Sequence, residues 1–110
     1  MRILAVDDDP TIRKFVARAL KEVAEVIEAA DQKAAKRLFA KDWFDTALVD
    51  VNLGADDGIE LAVWLRDMDP RLVVVVMSGD PSNEDKVREA GLGQMLKKPF
   101  TIDELRRRIS

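Results

Sequence analysis

Leu72-Val73-Val74-Val75-Val76-Met77-Ser78-Gly79 is the stretch from which the fold can be read. It opens with an unbroken apolar run, dominated by valine, that shows no polar alternation. β-Branched residues lose side-chain freedom in a helix and pack well on a pleated surface. A strand without alternation is covered on both faces, which is the condition of a parallel sheet. Residues 3–6 (Ile-Leu-Ala-Val) and 47–49 (Ala-Leu-Val) are shorter runs of the same kind. Residues 25–29 and 94–97 mix polar side chains into apolar ones and suit the sheet's edges.

Helical periods fill the intervals. Ile12, Phe15, Val16, Ala19, Leu20 and Val23 form one stripe at i, i+3, i+4 spacing. Ala34, Ala35 and Leu38 form a second behind Asp31, an expected N-cap. Leu61, Trp64, Leu65 and Met68 form a third, which Asp69-Pro70 ends. A fourth short helix is expected over residues 83–90, with Gly91 as its C′ residue. Thr101 and Glu104 read as a capping box for a fifth, whose stripe of Ile102, Leu105 and Ile109 stops with the chain at Ser110. Trp43, Phe44 and Trp64 read as packing residues, and Arg13, Lys14, Arg18 and Lys21 as a solvated face of the first helix. The expected fold is therefore α/β, doubly wound: one domain over residues 1–110 with a five-stranded parallel sheet, whose order is taken as 2-1-3-4-5. Helices cover both faces and the last helix is short.

Composition narrows the chemistry. The chain has 110 residues, no cysteine and no histidine. Thiolate metal sites, disulfides, imidazole-bound zinc and a serine–histidine triad are all excluded. A net charge of −3 argues against direct nucleic-acid binding by this chain. The apolar runs are far too short to span a bilayer, and no signal segment opens the chain, so a soluble cytoplasmic protein is expected. Met1 leads straight into the first strand, the pattern of an N-terminal or stand-alone domain.

The acidic residues stand at strand ends. Asp7, Asp8 and Asp9 follow the first strand, Asp50 the third, Ser78 the fourth and Lys98 the fifth. Ligands of open α/β sheets bind outside the carboxyl ends of the strands. If the order is 2-1-3-4-5, strands one and three are neighbours, and Asp7, Asp8 and Asp50 would converge. Carboxylates so close repel one another unless a cation joins them. With oxygen ligands only, the cation expected is Mg²⁺, with Mn²⁺ as the alternative. A lysine and a serine facing the same crevice suit a phosphoryl group, whose transfer depends on positioning and charge neutralisation.

Four blocks of sequence resemble the receiver domains of two-component response regulators. They are Ile3-Leu4-Ala5-Val6-Asp7-Asp8-Asp9-Pro10, Leu48-Val49-Asp50-Val51-Asn52-Leu53 with Asp57-Gly58-Ile59-Glu60-Leu61, Val76-Met77-Ser78-Gly79, and Lys98-Pro99-Phe100-Thr101. The resemblance implies a flavodoxin-like fold and a switch that catalyses only its own phosphorylation and dephosphorylation. It implies a phosphoryl group taken onto Asp50 from a histidine kinase or histidine phosphotransfer protein. It also implies direct Mg²⁺ ligation by Asp8, Asp50 and the backbone carbonyl of Asn52, with Asp7 acting through a water. Lys98 would pair with the acceptor carboxylate and then with the phosphoryl oxygens, and Ser78 would hydrogen-bond the group on arrival. Gly79 would leave room for the donor, while Asn52 and Asp80 hold positions that tune the lifetime of the aspartyl phosphate. The chain departs from the family pattern at Leu53-Gly54, in place of Met-Pro, and at Met95, in place of Tyr or Phe. The first helix, beside the crevice, is where a kinase would dock.

Two rivals belong to other classes. Asp7-Asp8-Asp9-Pro10-Thr11 fits the D-x-D-x-T pattern of haloacid-dehalogenase-type phosphatases, but that reading leaves Asp50 without a role. A pseudo-receiver, a protein-binding module with this fold and no phosphorylation, typically lacks part of the acidic set or the lysine.

Overall fold

In the computed structural model, residues 1–109 are described. Five parallel strands form one sheet: β1 (Arg2–Val6), β2 (Glu25–Ala29), β3 (Thr46–Asp50), β4 (Val73–Ser78) and β5 (Leu96–Lys97), in the order β2-β1-β3-β4-β5. Outside this numbering, Asn52–Leu53 and Asp56–Asp57 pair as a small antiparallel hairpin. Its turn places Gly54 at a φ of 64°, a region that only glycine enters freely. The helices are α1 (Pro10–Leu20), α2 (Gln32–Lys41), α3 (Gly58–Met68), α4 (Glu84–Glu89) and α5 (Ile102–Ile109), with a 3₁₀ turn at Pro81–Asn83 before α4.

Alternation along the strands divides the core in two. Ile3, Ala5, Leu48, Val75 and Met77 pack against Val16, Ala19 and Leu20 of α1 and Leu105 and Ile109 of α5. Leu4, Val6, Ala47, Val49 and Val76 face the other way, toward Ala35 of α2, Leu61, Ala62 and Leu65 of α3 and Val87 of α4. Both faces of the sheet are thus covered, which is why its central strands read as unbroken apolar runs.

The expected caps hold. Asp31 accepts from the Ala34 N–H at 2.8 Å; Asp9 also caps a helix, accepting from the Thr11 N–H at 2.9 Å. Thr101 and Glu104 exchange the two bonds of a capping box. Gly91, with φ 76°, follows the C-cap of α4.

Several expectations fail for local reasons. β5 covers Leu96–Lys97 rather than residues 94–97, because Gly93 turns at φ 74° and pairing begins only at Met77 with Leu96. α4 starts at Glu84 because the 3₁₀ turn takes Asn83. Val23 falls off the α1 stripe: the helix ends at Leu20, whose carbonyl receives the Val23 N–H, and Val23 is exposed. Met68, in the last turn of α3, is likewise exposed, as is Trp43 at 62%. Trp43 lies instead beneath the Arg2 guanidinium, 5.9 Å from its ring centroid. Arg106 of α5 donates to the Ala19 carbonyl at 2.9 Å and so caps the end of α1.

Candidate functional site

The strand alternation that builds the core also aims the acidic side chains. Asp7 continues the parity of Ile3 and Ala5 in β1, Asp50 that of Leu48 in β3, and Lys98 that of Leu96 in β5. All three meet at the carboxyl end of the sheet. Lys98 Nζ lies 2.7 Å from Asp7 Oδ2 and 3.3 Å from Asp50 Oδ2. The lysine therefore joins both carboxylates, and Asp7 more closely than Asp50. Asp7 and Asp50 are buried, whereas Asp8 is exposed at the rim.

One ligand oxygen from each of Asp7, Asp8 and Asp50 can be chosen so that all three lie within 4.8 Å of one another. An all-oxygen donor set of three carboxylates fits a hard divalent cation such as Mg²⁺ or Mn²⁺. The electrostatics show what such a cation would relieve. Burial, with the Asp7 charge added, pushes the Asp50 carboxyl up to about 6 against the opposing pull of Lys98 and the Asn52 N–H. Burial works against the Lys98 charge, but its bonds and charge contacts with Asp7 and Asp50 prevail and hold its pKa above the usual lysine value.

Asp7 is fixed from several sides. Its Oδ1 accepts from the Asp9 N–H at 2.9 Å, and its own N–H donates to the Ala29 carbonyl at 3.1 Å. Its carbonyl accepts from Arg13 Nη1 at 2.7 Å. Arg13 Nε and Lys14 Nζ both donate to Glu28 on β2, at 3.1 and 2.9 Å, and the Lys14 bond leads in holding the Glu28 carboxyl below its usual range. Arg13 and Lys14 are thus tied to the sheet edge rather than forming a freely solvated face. Asp9 caps α1 and stays outside the acidic set, so the D-x-D-x-T reading loses its second carboxylate.

Ser78 ends β4 one residue beyond Met77, the register partner of Asp50. Its Oγ accepts from the Asp80 N–H at 3.0 Å and from Asn83 Nδ2 at 2.9 Å. Asn83 escapes the sequence reading because its placement depends on the 3₁₀ turn, for which Pro81 after Asp80 is the only signal. Asn52 lies in the hairpin just beyond β3, and its N–H helps to lower the pKa of the Asp50 carboxyl. Gly58 opens α3 against β3: a Cβ there would lie 1.8 Å from the Asp50 carbonyl oxygen.

Comparison with known proteins agrees with this geometry. A family model described as the response regulator receiver domain matches residues 3–110. The response regulator MprA of Mycobacterium leprae is 36% identical over 112 residues, covering 99% of this chain and 49% of MprA. The chain spans about half the length of such curated relatives. A receiver domain protein from Methanospirillum hungatei superimposes with a TM-score of 0.89 at 28% identity, over 98% of this chain and 89% of that one. The receiver domain of DrrB, solved as BeF3 activated, gives 0.86 at 26% identity, over 98% and 92%. With the family's fold, its strand-end acidic set and a match along nearly the whole length, the chain belongs to the response regulator receiver domains of two-component signalling systems.

Proposed function

We propose that this chain is a single receiver domain, over residues 1–110, that accepts a phosphoryl group on Asp50 in a Mg²⁺-dependent step. The donor is the phosphohistidine of a histidine kinase or histidine phosphotransfer protein. The observation that carries this reading is the convergence of Asp7, Asp8 and Asp50 beside Lys98 at the carboxyl ends of β1, β3 and β5.

In this reading Asp8, Asp50 and the Asn52 carbonyl hold the cation directly, and Asp7 through a water. When bound, the cation supplies positive charge that lets Asp50 ionise and neutralises incoming phosphoryl oxygens. The Asp50 carboxylate forms the new O–P bond as the donor's P–N bond breaks, and the electron pair leaves with the imidazole nitrogen. Lys98 shifts its charge toward the arriving oxygens, and Ser78 offers them its hydroxyl. Gly79 keeps the approach open. The rim position of Asp8 suits a direct ligand, and the engagement of both Asp7 oxygens, with Asp9 and Lys98, suits contact through water. The similarity to DrrB, a receiver domain solved in a BeF3-activated form, supports the same reading. The chain acts as a switch and turns over no separate substrate.

Intact-mass measurement after incubation with acetyl phosphate and Mg²⁺ tests the reading. One labile phosphoryl adduct, absent in Asp50→Asn, is the expected result. No adduct would make the chain a pseudo-receiver, and an adduct on Asp7 or Asp9 would refute the assignment of the acceptor.

A further inference from the structure

Asn83 ends the 3₁₀ turn that runs into α4, with helical backbone angles (φ −79°, ψ −12°), and Asp80 caps that turn by accepting from the Ser82 N–H at 2.9 Å. Asn83 itself makes no side-chain cap bond. Its side chain, only 8% of the residue being exposed, turns back toward the sheet and donates from Nδ2 to Ser78 Oγ at 2.9 Å. The amide is thus turned toward the strand end, where it binds the Ser78 hydroxyl.

The hydrogen-bond inventory of Ser78 shows the consequence. A serine hydroxyl has two acceptor lone pairs and one hydrogen to donate. The Asp80 N–H at 3.0 Å occupies one lone pair and Asn83 Nδ2 the other. Only the hydrogen is left, and it donates to the Asp80 carbonyl in a long bond of 3.4 Å. Among the described residues the hydroxyl bonds neither Asp50 nor Lys98, and its one donated bond, to the Asp80 carbonyl, is the longest of its three, so it is the bond an arriving anion can most readily replace.

We infer that Asn83 is a positioning residue: by filling the second lone pair of Ser78, it fixes that hydroxyl as a hydrogen-bond donor toward the phosphoryl group on Asp50. The inference rests on the function proposed above. Without Asn83 the hydroxyl is free to rotate and to accept from water, so its orientation must be set when the anion arrives. Preorganised donors work because that reorganisation is already complete. The change Asn83→Asp keeps the shape of the side chain and reverses the polarity, because a carboxylate accepts the Ser78 hydrogen itself.

The test is titration with Mg²⁺ and beryllofluoride, followed by fluorescence or calorimetry, on wild type, Asn83→Leu, Asn83→Asp and the same changes in a Ser78→Ala background. Asn83→Leu is expected to weaken binding on the order of fivefold, the factor carried by one net hydrogen bond. In Ser78→Ala the same change should do nothing. Asn83→Asp should weaken binding further, and the part that survives in Ser78→Ala reads the effect of charge alone. The Asn83 side-chain amide signals in ¹H–¹⁵N spectra supply a readout that a merely structural role would not move. They should keep their hydrogen-bonded shift when wild type is saturated. Tighter binding by Asn83→Leu, an undiminished effect in Ser78→Ala, or loss of the hydrogen-bonded amide shift on saturation would overturn the inference. The amide measurement decides the matter should a variant fail to fold. Failure of the function reading looks different: wild type itself would then show no Asp50-dependent beryllofluoride binding.

Discussion

Gly58 and Asp50 are locked together through their backbones: a Cβ on Gly58 would sit 1.8 Å from the Asp50 carbonyl oxygen and 2.8 Å from the Val51 Cα. The Gly58 N–H also donates to the Val51 carbonyl at 2.8 Å. Helix α3 therefore begins flush against the end of β3, and the absence of a side chain at one residue sets the position of the proposed acceptor.

Gly58→Ala must displace backbone on one side or the other, since no flexible side chain is there to yield. Overpacking of this kind costs about 1–3 kcal/mol, read as a lower urea midpoint. Gly79→Ala is the control, because its Cβ would meet only Lys98 Cβ at an ordinary 3.9 Å; its stability should stay within about 0.5 kcal/mol of wild type. Equal melting of Gly58→Ala and wild type would show that the α3 start is loosely seated.

The Asp50 carboxyl yields a pH prediction. Its folded pKa is raised from 3.8 to about 6 by burial and the Asp7 charge. For an acid so raised, the fold favours the protonated form. The stabilisation is fully present below the unfolded value and is lost as pH rises through about 6. Without metal, Asp50→Asn should therefore be more stable than wild type at pH about 7.5, by about 1–3 kcal/mol. The gap should close below pH about 4, and apparent Mg²⁺ affinity of wild type should rise across the same window. A gap unchanged from about pH 4 to 8 would mean that Asp50 stays ionised throughout.

How much of this could be read beforehand follows from range. The parallel sheet and its two-faced core were legible because burial on both faces leaves apolar runs without alternation, as at Val73–Ser78. The acidic set was legible because each member stands next to its own strand end in sequence. Contacts that depend on a turn's geometry or on register were not. Asn83 reaches Ser78 only because a 3₁₀ turn precedes α4. Arg13 and Lys14 meet Glu28 only because β1 and β2 pair with Ala5 opposite Glu28. Trp43 looked like core and lies exposed, since hydrophobicity alone does not say which of Trp43 and Phe44 turns inward.

Lys98→Ala should move two ligands in opposite directions. The lysine contributes a positive charge 2.7 Å from Asp7 and 3.3 Å from Asp50. Removing it leaves more uncompensated negative charge for a cation and less attraction for an anion. Mg²⁺ alone should bind several-fold tighter, while beryllofluoride in saturating Mg²⁺ should bind several-fold more weakly. Calorimetric titration of each ligand checks both signs, and a parallel loss of both would show that Lys98 mainly holds the crevice together.

On the proposed function, Met95 bears on how far a response to the bound anion should travel. It is buried, with 4% exposed, in the core on the α2–α3–α4 side that also holds Val87 and Leu92. A ligand shifts a two-state equilibrium only by as much as it discriminates between the states. The aromatic ring usual at this place in the family turns inward as the hydroxyl moves, and so contributes to that difference. Methionine is unbranched, adaptable and already packed, and it has neither the ring's shape nor a hydroxyl. Beryllofluoride with Mg²⁺ should therefore move the amide signals of Ser78 and Asp80 and leave the Met95 methyl signal nearly where it was. Met95→Tyr should enlarge the response across β5 and α5. ¹³C-methyl and amide NMR on both proteins reads this directly. A large Met95 methyl shift in the wild type, together with movement throughout α5, would show that methionine supports the ordinary switch.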